Sequence, residues 1–376
     1  MPVWHESAKP YVEAGKVGVI GIIQEQHPDR ARLFMQWQQM DWPLLSDPLN
    51  LLGISAVPIT LLVDEYGVIR RRGAKPKDLE AFLRAKYSPP DQQQKISRNW
   101  ITRLDEKFLQ RQSPEDLDRI IPAYYKQLDG RAELRFRLGA IYRTRFDATA
   151  AKPNDFQNAV IQWQAALDLK PNHYIWRRRI QQFGPRLAKP YPFYDWVPTA
   201  REEILARGET PVPLITEPRG SEIAHPSKKF VTEAQADLRH PDPTGRLKRD
   251  TAGVIGCETV VVPPNPRPGD TVRIHLVMKP KNGDAVWNNE ADPLTVFAGE
   301  LPAAWQSSRR HFQAPMPKSA ESAETRAAEF EIRIPRSAKP GRHDLGFQAF
   351  YYVCFKESGA CTFLAREVSV RVDLAK

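Results

Sequence analysis

The sequence predicts three folded regions of different class: a partial α/β domain over residues 1–87, a helical region over 99–208 and an immunoglobulin-like β-sandwich over 251–376, joined by linkers at 88–98 and 209–250. Three observations predict this. Short, almost wholly apolar runs alternate with helix-like stretches between residues 17 and 86. Apolar residues recur at helical spacing between 99 and 182. From residue 251 the period falls to two, with strand candidates bounded by Gly, Pro and Asn.

In the first region, Val17 to Ile23 (VGVIGII) is β-branched and apolar throughout, as in a strand buried on both faces. Asp29 to Gln39 carries Leu33, Phe34 and Trp37 on one side of a helix. A strand over Ile59 to Asp64 turns through Glu65-Tyr66-Gly67 into a second over Val68 to Arg71, and Pro76 to Lys86 closes the unit as an amphipathic helix.

The passage Ala56 to Gly73, in which Val57-Pro58 precedes a strand that turns through Asp-x-x-Gly, resembles the back half of TlpA-type thiol-disulfide reductases and their peroxiredoxin-like relatives. That resemblance implies a thioredoxin-like fold with a cis proline at Pro58, and makes Val57 and Pro58 the expected substrate-orienting positions. It also implies a Cys-x-x-Cys at a helix N-terminus, where the helix-end amides favour the thiolate. Here Met1 to Ala14 resembles the later turns of that helix, and no cysteine precedes Cys257. The strand between the Val17 and Ile59 strands is also missing, which leaves a gap with two bare inner edges. The reading therefore expects a natural start further upstream, with a redox-inert scaffold domain as the other reading.

Tyr87 to Gln94 (YSPPDQQQ) reads as a linker. Beyond it, Leu138-Gly139, Tyr142, Ala159, Trp163, Ala166 and Pro171 resemble the tetratricopeptide pattern of two packed helices, provided that a loop within Phe146 to Asn154 is allowed. One repeat cannot bury its own face, so Glu115 to Gln127 and Tyr174 to Gln182 are its expected neighbours. Such a region could hold a protein partner or serve as a spacer. Phe183 to Trp196 reads as an extended segment whose rings pack on the helices, and the prolines between 209 and 250 interrupt any regular element.

The sandwich has strand candidates at Val254 to Val262, Thr271 to Lys279, Leu294 to Phe297, Ala328 to Ile334, Gly341 to Cys354 and Cys361 to Leu374. Two strands joined by a turn can bring Cys354 and Cys361 within bonding distance. A reactive pair, an inert staple and a metal site all remain open for them. Two cysteines are too few for a closed zinc site, however, and no spacing completes one. The passage Phe350 to Cys354, followed after six residues by Cys361-Thr-Phe-Leu-Ala-Arg-Glu-Val, resembles the N-terminal domain of DsbD-type thiol-disulfide interchange proteins. The resemblance implies that Cys354 and Cys361 relay electrons, but the six-residue spacing and the neighbours Phe355, Lys356 and Glu357 depart from its pattern.

The chain carries 55 Lys and Arg against 45 Asp and Glu, but its basic residues stand in short scattered groups, which argues against nucleic acid as partner. No stretch approaches the roughly 20 apolar residues of a membrane span, and no signal peptide is visible. No phosphate loop, nucleophile elbow or paired-carboxylate motif is present, so no cofactor is expected. His5 and His27 read as surface or helix-face groups, and Cys257 as a buried strand thiol. The expected function is thiol-disulfide exchange with protein thiols, protein disulfides or another redoxin, in a periplasmic or other extracytoplasmic compartment. The alternative is a non-enzymatic scaffold braced by the Cys354–Cys361 bond. Peroxide reduction is a weaker reading, because no early cysteine serves it.

Overall fold

The structure is a computed structural model that describes residues 2–89, 102–148, 151–186, 194–218, 230, 237–281 and 283–376. It is a mixed α/β chain whose C-terminal part is a β-sandwich. Its contacts divide it into two compact units. One comprises Met1–Ala150, Ala165–Arg179 and Phe193–Pro218, and the other Ala151–Gln164, Ile180–Pro192 and Arg219–Lys376.

The first unit opens with α1 (Pro2–Glu13), β1 (Gly21–Ile23), α2 (Asp29–Trp37) and β2 (Leu44–Ser46). These are followed by β3 (Leu61–Val63), β4 (Ile69–Arg72) and α3 (Leu79–Arg84). β1 pairs in parallel with β2, and β3 pairs antiparallel with β4. Ala8 of α1 and Leu79 of α3 bury Leu62 of β3, with Val17 and Val19 packed against the same cluster. Among the described residues β1 and β3 share no ladder, and Ile20, Ile22, Leu45 and Val63 stay exposed.

The helices that follow are α4 (Arg103–Leu109), α5 (Leu117–Tyr125), α6 (Ala132–Asp147), α7 (Asp155–Leu169), α8 (Tyr174–Gln181) and α9 (Trp196–Ala206). Of the residues that the sequence reading likened to a tetratricopeptide pattern, Leu138, Ala159, Trp163 and Ala166 are fully buried and Pro171 is exposed. The sequence reading placed the end of an extended segment at Trp196, where a helix begins. Pro198 is its third residue, and a proline in the first turn costs no hydrogen bond. This helix packs on α2, burying Val197 and Ile204 against Leu33. The segment 187–193 lies outside the described residues, as does 219–236 apart from Phe230 within the expected linker at 209–250.

The sandwich has two sheets. In one, β5 (Ile255–Val262), β6 (Thr271–Pro280), β12 (Arg326–Arg333) and β9 (Gln306–Ser307) lie in that order. In the other, β13 (Gly341–Phe355) is the spine. β14 (Cys361–Leu374) runs along one edge of it, while β8 (Thr295–Ala298) and β7 (Ala285–Asn288) dock end to end on the opposite edge. β10 (His311–Gln313) and β11 (Glu321–Ser322) extend that sheet outward from β8 and β7. Alternate residues of both sheets meet in one core, including Ile274, Leu276, Phe330, Phe347, Tyr351 and Val370.

The outer face of the β5–β6 sheet is also buried. Arg273 and His275 project there and meet Glu329 of β12. The carbonyl of Phe183 accepts from His275 Nε2 at 2.7 Å, and the rings of Phe156 and Phe183 pack about the imidazole. Gln157 caps the Val261 amide at 2.8 Å.

Candidate functional site

Cys354 and Cys361 form a disulfide across the β13–β14 hairpin beside its turn, with their Cα atoms 4.0 Å apart. The register makes them direct cross-strand partners. The amide of Phe355 donates to the carbonyl of Ala360 at 2.9 Å, so 355 and 360 form a hydrogen-bonded pair. By alternation, 354 and 361 form a non-hydrogen-bonded pair, the position at which side chains approach most closely. The turn between them, Lys356 to Gly359, is exposed, and Gly359 adopts the left-handed conformation (φ +67°) that closes it.

The two sulfurs have different surroundings. Cys354 is 4% exposed and lies between β14 and β7, opposite Val286. Cys361 is exposed and lies on the outer strand of the sheet. Thiol-disulfide exchange requires the attacking sulfur to approach in line with the bond it breaks. Beyond Cys354 in the sheet lies β7, whereas beyond Cys361 lies the free edge of β14. Cys361 is thus the more accessible member of the pair.

Along the same outer face, two residues from the pair, Tyr352 and Phe363 are half-buried and stacked with ring centroids 4.3 Å apart. Two residues further, Phe350 and Ala365 are buried, and Ala365 is bridged in parallel by the segment Lys248 to Asp250. His240 packs on Phe350 and Phe297 there. The Asp250 carboxylate is fully buried behind this bridge and accepts from Tyr351 Oη at 2.8 Å and from the amides of Val254 and Ile255. Burial pushes the Tyr351 hydroxyl well above the usual phenol range, and Asp250 pushes it the same way.

The third cysteine, Cys257, is free and half-buried on β5. Burial pushes its thiol up to about 11, against the pull of Arg366. It is the least nucleophilic kind of cysteine at neutral pH. Val57 and Pro58 lie in the exposed turn that leads into β3, in another unit of the molecule from the disulfide, and the peptide between them is cis. His5 is hydrogen-bonded to Asp41 at 2.9 Å, and His27 to Asp147 at 2.6 Å. The outer-face group Arg273, His275 and Glu329 escaped the sequence reading, because alternating charged residues in a strand are the usual mark of a solvent-facing side.

Among the described residues no cluster of three or more metal-ligating side chains occurs, and no helix is long and apolar enough to cross a membrane. No family model and no curated protein matches the chain. It is similar to a type I cohesin–dockerin complex from Clostridium thermocellum at 11% identity, over 32% of this chain and 99% of that one, with a TM-score of 0.20. It is also similar to a PapD-like domain of human CEP192 at 11% identity, over 38% of this chain and 99% of that one, with a TM-score of 0.15. Likenesses this slight carry no argument.

Proposed function

We propose that this protein exchanges electrons with partner proteins through the Cys354–Cys361 disulfide. The observation that carries the reading is the asymmetry of the pair: an exposed Cys361 on the edge strand, bonded to a buried Cys354. A bond that serves only as a brace needs no such access. In this reading, a DsbD-like sandwich bears the working cysteines, the first unit is thioredoxin-like with Val57 and Pro58 as its peptide-orienting turn, and the helices form a tetratricopeptide-like partner-binding or spacing region. A solvent-reachable disulfide suits an oxidising, extracytoplasmic compartment.

The test is reduction under native conditions. The folded protein is incubated with a thioredoxin-type dithiol protein or dithiothreitol, quenched with an alkylating agent and weighed intact, while near-ultraviolet circular dichroism follows the sandwich. Alkylation of the exposed Cys361 with the fold intact is the expected result. A bond that opens only as the sandwich unfolds would leave the brace as the function of the pair.

A further inference from the structure

The backbone of β14 alternates in the direction of its polar groups, and the printed bonds fix the phase. The amide of Ala365 donates to Lys248 and its carbonyl accepts from Asp250, both at 2.9 Å, so the groups of Ala365 point away from β13. Phe363 and Cys361, two and four residues earlier, share that direction. Among the described residues neither has a backbone partner on that side. The chain's own Lys248 to Asp250 segment already shows that this edge accepts an extended backbone, and the stretch beyond it, toward the disulfide, continues the same edge.

We infer that a redox partner docks by adding an antiparallel strand to β14, so that an extended, cysteine-bearing segment of a dithiol protein pairs with Cys361 and Phe363. The inference rests on the exchange reading above and gives it a recognition mode. A residue opposite Cys361 on such a strand forms a hydrogen-bonded pair with Cα atoms about 5.5 Å apart. That is the separation disulfides prefer, within their window of about 4.4–6.8 Å. It also places three sulfurs in a row across three strands, Cys354, Cys361 and the partner's, which is the in-line arrangement that exchange requires. The stacked rings of Tyr352 and Phe363 flank the incoming cysteine on the same face. Strand addition of this kind draws affinity from main-chain bonds and tolerates varied sequences.

The partner thiolate bonds to Cys361 Sγ as the Cys354–Cys361 bond breaks and its electron pair passes to Cys354. A second partner thiolate then attacks the partner's sulfur in the mixed disulfide and releases Cys361. The partner dithiol becomes a disulfide, two electrons reside on the pair, and the two thiol protons pass to Cys354 and Cys361 through solvent.

The experiment uses the full chain and nine-residue alternating Val/Thr peptides with one central cysteine, with mixed-disulfide formation timed by intact mass. One peptide is N-methylated two residues before its cysteine, where the amide would donate to the Phe363 carbonyl. A second is N-methylated one residue before, where the amide faces away. The first methyl is expected to slow the reaction by about tenfold, for one lost hydrogen bond and a methyl against the edge, and the second to leave it unchanged. In the protein, Phe363→Pro removes the outward amide while sparing the ladder to β13. It should be slower than Phe363→Ala, which removes only the ring. Equal rates for all three peptides would overturn edge docking and leave the exchange reading standing. Slowing by the second methyl alone would overturn the antiparallel register. A folded protein whose disulfide no peptide thiol opens would overturn the exchange reading and the docking with it.

Discussion

Cys257 and Cys361 show how position in a sheet sets the chemistry of one residue type. Burial raises the Cys257 thiol to about 11, so at pH 8 only about one molecule in a thousand carries its thiolate. After mild reduction, iodoacetamide at pH 8 is therefore expected to modify the exposed Cys361 quickly and Cys257 only on denaturation; rapid addition at Cys257, mapped by peptide mass, would contradict this placement. The Cys354 and Cys361 pair was legible because two cysteines flank a turn between alternating strands. Glu329 was not, since Glu329, Glu331 and Arg333 alternate with apolar residues as on a wetted strand. The covering residues Phe156 and Phe183 lie far away in sequence. Burial works against the ionised Glu329, but Arg273 and His275 outweigh it and hold its carboxyl well below the usual range. A carboxylate so held adds stability above its unfolded pKa of about 4.3 and loses that contribution as the pH falls below it. Denaturant unfolding across pH 3 to 7 is expected to show this loss. Glu329→Gln should flatten it and cost about 3 kcal/mol at pH 7, as for a broken buried pair.

The β13–β14 hairpin is the element on which the proposed chemistry depends, and its ladder runs from Gly341–Leu374 to Cys354–Cys361. The bond at its tip closes a loop with a sequence separation of only 7. In the chain-entropy account so short a loop contributes about 2.5 kcal/mol. Both redox states should therefore be folded. Thermal melts of the oxidised protein and of a Cys354→Ser/Cys361→Ser variant are expected to show two cooperative transitions separated by several degrees, and a non-cooperative variant would contradict this. The long strands could be read from their period. β7, β9, β10 and β11 could not, because two to four residues are too few to display one. Nor could α9, whose Pro-rich and aromatic approach suggested an extended chain although Pro198 sits where a helix tolerates it.

At the scale of the whole molecule, the second unit is assembled from separate stretches of chain, with 151–164 and the described residues 180–186 grouped with the sandwich. Phe156, Gln157 and Phe183 dock on β5 and β6 through hydrogen bonds to Glu258, Val261 and His275. A fragment of residues 251–376 is thus expected to unfold more easily than one of residues 151–376, by about 3 kcal/mol for the uncovered rings and polar groups. Urea titration of the two fragments checks this, and equal midpoints would show the cover to be dispensable. The same arrangement governs what happens at the ribosome. Phe156, Trp163 and Phe183 leave the exit tunnel about 100 residues ahead of β6, a lag of roughly 5–20 s at ordinary rates of synthesis. For that interval Phe156 and Phe183 wait without the His275 imidazole they pack against in the finished fold, so this face of the cover is completed last.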